Sequence, residues 1–354
     1  MRNIHEVTLV GPLNVTPNGQ SIAFQQTVDA TPHSRTIDNA CSSISKIIYY
    51  YCVLFIAVIN CSGPIYFTCS RTIKGFFVRD FPLLLLCRTF GRRIINHVHG
   101  SDFTDFRCNT NYFVKLLIDW AYSWINDFIA PSESCVEQFA LYQGALKHVV
   151  YNFYSNEFSD LESRSKQSNP RRSTRILYLS NLLYSKGFSI LIETVEHLTK
   201  RGVDLKLDIC GAPQGDEFWS EQQVKEYLSK IDNPNIHYHG PIYGPKKVKF
   251  FCDSDVFVLP SFYKTEEAPL SIIEALASGC YIVTSTAGSI PNMLSGTISS
   301  IVNPSVLSLT QALLEYEALS IHERRLISKT NQSVASLNFA PEKYNDAITK
   351  IIRG

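Results

Sequence analysis

Ten short apolar runs, separated by stretches of helical character, constrain this chain more than any other feature. In the first half they are "EVTLVG" (6–11), "PIYFTC" (64–69), "RIINHVHG" (93–100), "DFIAPS" (127–132) and "HVVYNF" (148–153). In the second half they are "RILYLS" (175–180), "LKLDICG" (205–211), "NIHYHG" (235–240), "DVFVLPS" (255–261) and "YIVTST" (281–286). Strands alternating with helices imply βαβ units and parallel sheets. A chain of 354 residues exceeds one ordinary core, so the pattern predicts two doubly wound domains. Residues 155–175, "SNEFSDLESRSKQSNPRRSTR", are polar and charged with a single Leu. They are the expected connection, giving domains at 1–155 and 175–338 around a linker at 156–174.

Charge and composition remove several function classes. The net charge is +1, so nothing asks for nucleic acid. Ten scattered cysteines, without a CxxC or a metal-like pairing with histidine, suit a reducing cytoplasm and buried thiols. "MRNIHEVTLVGPL" has no apolar leader region and runs into a strand, so no secretory signal is expected. "IIYYYCVLFIAVI" (47–59) is apolar over 13 residues, short of the roughly 20 needed to span a bilayer. It reads as a buried or interfacial helix.

Ligands of open α/β sheets bind beyond the carboxyl ends of the strands. Those ends carry Gly11 to Gly19, His99–Gly100, Asn181 to Lys186, Gly211, Gly240 and Ser261 to Glu267. Small, basic and acidic residues of this kind suit a phosphorylated, hydroxyl-rich ligand. No GxGxxG follows a strand and no GxxxxGK[ST] occurs, which disfavours a dinucleotide oxidoreductase and a P-loop enzyme. The stretch "YKTEEAPLSIIEALASG" (263–279) poses a specific problem. Pro269 fits a first helical position, Leu270, Ile273, Leu276 and Ala277 recur at helical spacing, and Gly279 is a natural stop. Glu274 then lies on or beside the apolar stripe, where a carboxylate is costly unless hydrogen-bonded. A surface position for Glu274 stays open on spacing alone.

"DVFVLPSFYKTEEAPLSIIEALASGC" resembles the donor-binding core of retaining GT-B glycosyltransferases of the family 4 type, in which two glutamates stand eight apart, as Glu266 and Glu274 do. "YLSNLLYSKGFSILIE" (178–193) is similar to that family's other donor segment, and "HVHGSDF", "APSES" and "YNF" match weaker landmarks in the first domain. The resemblance implies two Rossmann-like domains facing a cleft, a nucleotide-sugar donor, and a glycan or lipid-linked acceptor, in polysaccharide biosynthesis. It implies that Glu274 holds the ribose, Glu266 the transferred sugar, and Lys186 the leaving diphosphate. Backbone N–H groups of Leu270 and Ser271, behind Pro269, would meet phosphate oxygens. Gly19 would let the first loop approach the sugar phosphate, and His99 would touch the sugar or acceptor. Lys186, Glu266 and His99 are thus the expected catalytic residues, and Gly19, Asn181, Lys186, Glu266, Pro269, Leu270, Ser271 and Glu274 the donor site. Residues 339–354 resemble the C-terminal helix that crosses back to the first domain, with Tyr344, Ile348 and Ile351 on one face. Crossing would permit hinge closure around the donor.

Three positions depart from the family pattern: Asn181 replaces an arginine, Asn18–Gly19 a double glycine, and Asn292 a glutamate. Glu267 is expected to be solvated, and His97, His237 and His239 to be structural. "DSD" (253–255) is expected to be a helix–strand boundary, not a metal site, and no metal or other cofactor is expected. The segment 71–93 holds six Lys/Arg against Asp80 alone. It fits either a peripheral membrane patch at the inner face of the cell membrane or a core helix and strand with solvated ends. A non-catalytic nucleotide-sugar-binding partner of another transferase and a GT-B-fold epimerase remain alternative readings.

Overall fold

A computed structural model of the chain describes residues 6–13, 19–40, 43–161 and 173–354. It divides into two compact units, Met1–Asn152 with Glu342–Gly354, and Phe153–Pro341.

The first unit is built on β1 (Thr8–Gly11), β2 (Arg35–Asp38), β3 (Ile65–Thr68), β4 (Ile94–His97), β5 (Asp127–Ala130) and β6 (Leu146–Val149), all parallel, in the order β2-β1-β3-β4-β5-β6. Crossovers between parallel strands are right-handed. The helix Gly19–Ala30, leading to β2, therefore covers one face of the sheet. The helices Ile44–Asn60, Phe81–Thr89 and Tyr112–Tyr122 step the other way and form a layer on the opposite face. Between sheet and layer lies an aromatic core in which Phe103, Tyr122, Phe128 and Phe139 are fully buried.

The second unit holds β7 (Thr174–Leu179), β8 (Leu205–Cys210), β9 (Ile236–Tyr238), β10 (Val256–Leu259), β11 (Tyr281–Thr284) and β12 (Ser299–Ile301), ordered β12-β11-β10-β7-β8-β9 and again all parallel. Strand order reverses between β7 and β10, which places a ligand-binding switch point at their carboxyl ends.

Several expectations need correction. Two strands were not anticipated, β2 ("RTID") and β12 ("SSI"); both are sheet edges, half-exposed and polar. The strand expected at 148–153 is β6 at Leu146–Val149, also an edge. The connection is not uniformly unstructured: Asn156–Leu161 forms a 3-10 turn whose Phe158 is fully buried against Phe251, ring centroids 5.6 Å apart. Residues 162–172 of the expected linker lie outside the described residues.

The last helix, Pro341–Arg353, lies almost wholly in the first unit. Tyr344, Ile348 and Ile352 are buried, while Ile351 is only half-buried, so the apolar face runs at intervals of four. The Tyr344 hydroxyl donates to the Ala23 carbonyl at 3.0 Å and lies 2.9 Å from the Thr27 hydroxyl. The Arg93 guanidinium donates to the Ile351 carbonyl at 3.0 Å. Each buried apolar side chain contributes about 1.5–3 kcal/mol. Deleting 342–354 is therefore expected to lower the melting temperature of the first unit and cost activity, although none of the expected site residues is removed. A truncated chain with unchanged melting and full activity would contradict this.

Candidate functional site

The second unit brings four charged side chains together in two ion pairs. The turn Tyr184–Lys186 follows β7 and ends at Gly187, whose φ of 77° is left-handed. A Cβ on Gly187 would stand 2.3 Å from the Pro260 carbonyl. Glycine is thus what allows the Lys186 turn to lie against the end of β10. Ser185 accepts the Phe262 N–H on its carbonyl at 2.8 Å, locking the two loops together. From opposite sides of this junction, Lys186 Nζ and Glu266 Oε2 meet at 3.3 Å. The Ser261 hydroxyl donates to the same Glu266 oxygen at 3.0 Å, and Lys186 stands 5.5 Å from the centre of the Tyr263 ring.

The second pair joins Glu274, on the helix Leu270–Ala277, to Lys247, on the helix Gly244–Asp253. Glu274 is 4% exposed. Burial pushes its carboxyl above the usual carboxylate range; the Lys247 ammonium pulls it back, and Glu157 adds to the rise. Lys247 also lies 5.8 Å from the Phe158 ring centre. The buried charge that the sequence made awkward is thus neutralised by a lysine that spacing did not reveal.

Pro269 is the N-cap of the Leu270–Ala277 helix and not its first residue, with ψ of 120°. No side chain caps this end, so the N–H groups of Leu270 and Ser271 remain open to an anion. Glu267 is buried, not solvated. Gly288 explains this: its positive φ of 53° and missing Cβ let the 287–292 loop lie on the Glu266 backbone. The Ser289 amide and hydroxyl then donate to the Glu267 carbonyl at 3.2 and 2.5 Å. Asn181 and Asn292 are exposed.

Asp216 is a further residue that spacing missed. It accepts from the Ser185 amide and hydroxyl at 2.8 and 2.7 Å, holding the turn that carries Lys186. Partial burial works against its charge, but bonds from Ser185, Trp219 and Phe218 outweigh this and keep its carboxyl below the usual range. The aspartates of "DSD" are tied to Arg175: Asp253 pairs with its guanidinium at 3.5 Å and Asp255 accepts its amide at 2.9 Å. Among the described residues, no group of three or more His, Cys, Asp or Glu side chains is placed to hold a metal.

In the first unit, His97 lies in β4 and His99 just beyond it, their rings 4.0 Å apart. His97 Nδ1 meets the Tyr66 hydroxyl at 2.5 Å, whereas Nε2 of His99 is buried with no protein hydrogen-bond partner. Burial, helped by Arg71, pushes the His99 imidazole down to about 3, so it is neutral at ordinary pH. Gly19 opens the helix Gly19–Ala30, and a Cβ there would meet nothing within 4 Å. Asn18 lies outside the described residues. His239 pairs with Asp208 at 2.7 Å.

The two doubly wound parallel-sheet units share the GT-B fold of the solved structures that superpose on the chain. Residues 159–333, which fall within the second unit, match the family described as Glycosyl transferases group 1. The chain is 27% identical over 136 residues to a D-inositol 3-phosphate glycosyltransferase of Paenarthrobacter aurescens, covering 38% of this chain and 32% of that one. It is 23% identical over 190 residues to an uncharacterized 41.2 kDa protein in the cps region of Klebsiella pneumoniae, covering 49% of each. These alignments span a third to a half of the relatives' lengths. The crystal structure of Anabaena HepE in complex with UDP and glucose superposes with a TM-score of 0.71 at 16% identity, covering 99% of this chain and 100% of that one.

Proposed function

We propose that the protein is a retaining glycosyltransferase that moves a sugar from a nucleotide-sugar to a glycan or lipid-linked acceptor, in polysaccharide biosynthesis. The observation that carries this reading is the convergence of Lys186, Glu266 and the uncapped Leu270–Ala277 helix at the switch point of the second unit. A nucleotide-sugar makes three demands, and each has an answer in these residues. Glu274 accepts from the ribose hydroxyls once Lys247 shares it. The open amides of Leu270 and Ser271 and the Lys186 ammonium meet the diphosphate. Glu266 accepts from the transferred sugar. The UDP-bound HepE structure, on the same fold, supports a nucleoside diphosphate as the donor's leaving group. For the first unit, the reading gives Gly19 and the neutral His99 ring to the donor sugar or acceptor.

In this mechanism the bond from the sugar's anomeric carbon to the diphosphate breaks as the acceptor hydroxyl bonds to the same face. The acceptor's proton passes to the departing phosphate oxygen, and no protein nucleophile is needed. Stabilisation of charge on the leaving group is the main contribution. Asn181 can hydrogen-bond a phosphate but adds no charge, and this neutral side chain is what favours the second reading, a donor-binding partner without turnover.

Calorimetric titration with a series of nucleoside diphosphates, with and without EDTA, tests the site. One diphosphate is expected to bind, and equally well in chelator, since Asp253 and Asp255 are held by Arg175. Absence of any binding would overturn the reading; loss in EDTA with rescue by manganese would overturn its metal independence.

A further inference from the structure

We propose that the outer face of the helices Ile44–Asn60, Phe81–Thr89 and Tyr112–Tyr122 docks on an anionic lipid surface. This goes beyond the transferase reading and does not depend on it.

The three helices lie side by side on one face of the first unit's sheet, with the Phe55 and Phe90 rings in edge contact at 6.1 Å. Their inner faces supply the core, as Leu54, Val58, Leu84 and Ile118 show. Their outer faces should then be polar, as in an ordinary amphipathic helix. They are not. Ile48 is 58% exposed, Phe55 47%, Ile56 48%, Leu85 43%, Phe113 79% and Trp120 54%. The helix Ile44–Asn60 carries a single charged residue, Lys46, in seventeen. Exposed apolar surface spread over three adjacent helices marks an interaction site.

Charge decides which partner fits. Between residues 43 and 101 the only carboxylate is Asp80. It is buried, accepting from Ser70 and Tyr122. Lys46 and Arg88 are exposed on these helices, and Lys74 is exposed in the Ile73–Gly75 turn ahead of Phe81–Thr89. On the Tyr112–Tyr122 helix the one acid, Asp119, is neutralised by Arg107. An apolar face with a basic rim, whose three helices carry no acid but the paired Asp119, complements anionic headgroups over acyl chains. A second copy of the chain would set this basic rim against itself in an isologous contact. No helix of the described residues is long and apolar enough to cross a membrane, so the face would lie on the bilayer. The segment 71–93 contributes less than its composition suggested, because Phe76, Leu83, Leu84 and Cys87 belong to the core; most of the face comes from the flanking helices.

The test is co-sedimentation of the full chain with phosphatidylcholine vesicles, with and without phosphatidylglycerol. Binding is expected to vesicles containing phosphatidylglycerol and to weaken with salt. The double variants Phe113→Ser/Trp120→Ser and Lys46→Glu/Arg88→Glu should each bind about tenfold more weakly. All four side chains are on the surface, so thermal melting should match the parent and separate lost docking from lost folding. No binding to either vesicle, or unchanged binding by folded variants, would overturn the proposal. So would a chain that ignores vesicles but forms a dimer in solution that the same variants abolish.

Discussion

Lys186→Ala is expected to lower turnover about a hundredfold, the loss typical of removing one group that stabilises developing charge. Donor affinity should fall much less, because in the proposed mechanism the ammonium matters most when the diphosphate departs. Lys186 also neutralises Glu266, at 3.3 Å. The Ser261 hydroxyl still donates to Glu266 in the variant, so the fold should survive with a modest drop in melting temperature. Lys186→Arg keeps the charge and should recover part of the rate. A rise in the Michaelis constant with turnover unchanged would show that Lys186 binds donor and transition state alike, contradicting its role in departure.

The Lys247–Glu274 pair carries the second large effect. On the proposed ribose contact, Glu274→Gln removes a charge-assisted hydrogen bond worth about 1.5–3 kcal/mol, so nucleotide affinity should weaken tenfold or more while the fold is retained. Lys247→Met should act differently, through pH. Burial already raises the Glu274 carboxyl, Glu157 raises it further, and Lys247 is what lowers it. Without Lys247 the carboxyl holds its proton to higher pH, and a protonated Glu274 is a poorer acceptor for the ribose. The affinity of Lys247→Met should therefore be lost as pH falls, at a higher pH than in the parent, and recover as pH rises. Lys247→Arg should restore the parent profile. Parallel pH profiles for parent and Lys247→Met, measured by calorimetry, would show that Lys247 only packs.

Legibility in the sequence followed the range of the interactions involved. Central strands such as β10, "VFVL", are buried on both faces and read as continuous apolar runs. β2 and β12 lie at sheet edges, where half the side chains meet water, so "RTID" and "SSI" carry no apolar signal. Among the candidate site residues, Lys186, Glu266 and Glu274 sit in local patterns: a glycine turn and two glutamates around one helix start. Lys247 and Asp216 do not. Lys247 is one of three lysines in "PKKVKFF" and finds Glu274 from 27 residues away. Asp216 reaches Ser185 across 31 residues. Only the folded chain distinguishes such residues from solvated neighbours. Glu267 misled for the same reason, since its burial depends on Gly288, twenty-one positions later.

Phosphorus NMR of the purified protein incubated with a panel of nucleotide-sugars tests the central claim most directly. The account predicts slow release of a nucleoside diphosphate from one member of the panel, suppressed in Lys186→Ala and accelerated by a suitable glycan or lipid-linked acceptor. Tight binding of a nucleotide-sugar with no diphosphate released under any of these conditions would contradict it, leaving a donor-binding protein without transferase activity.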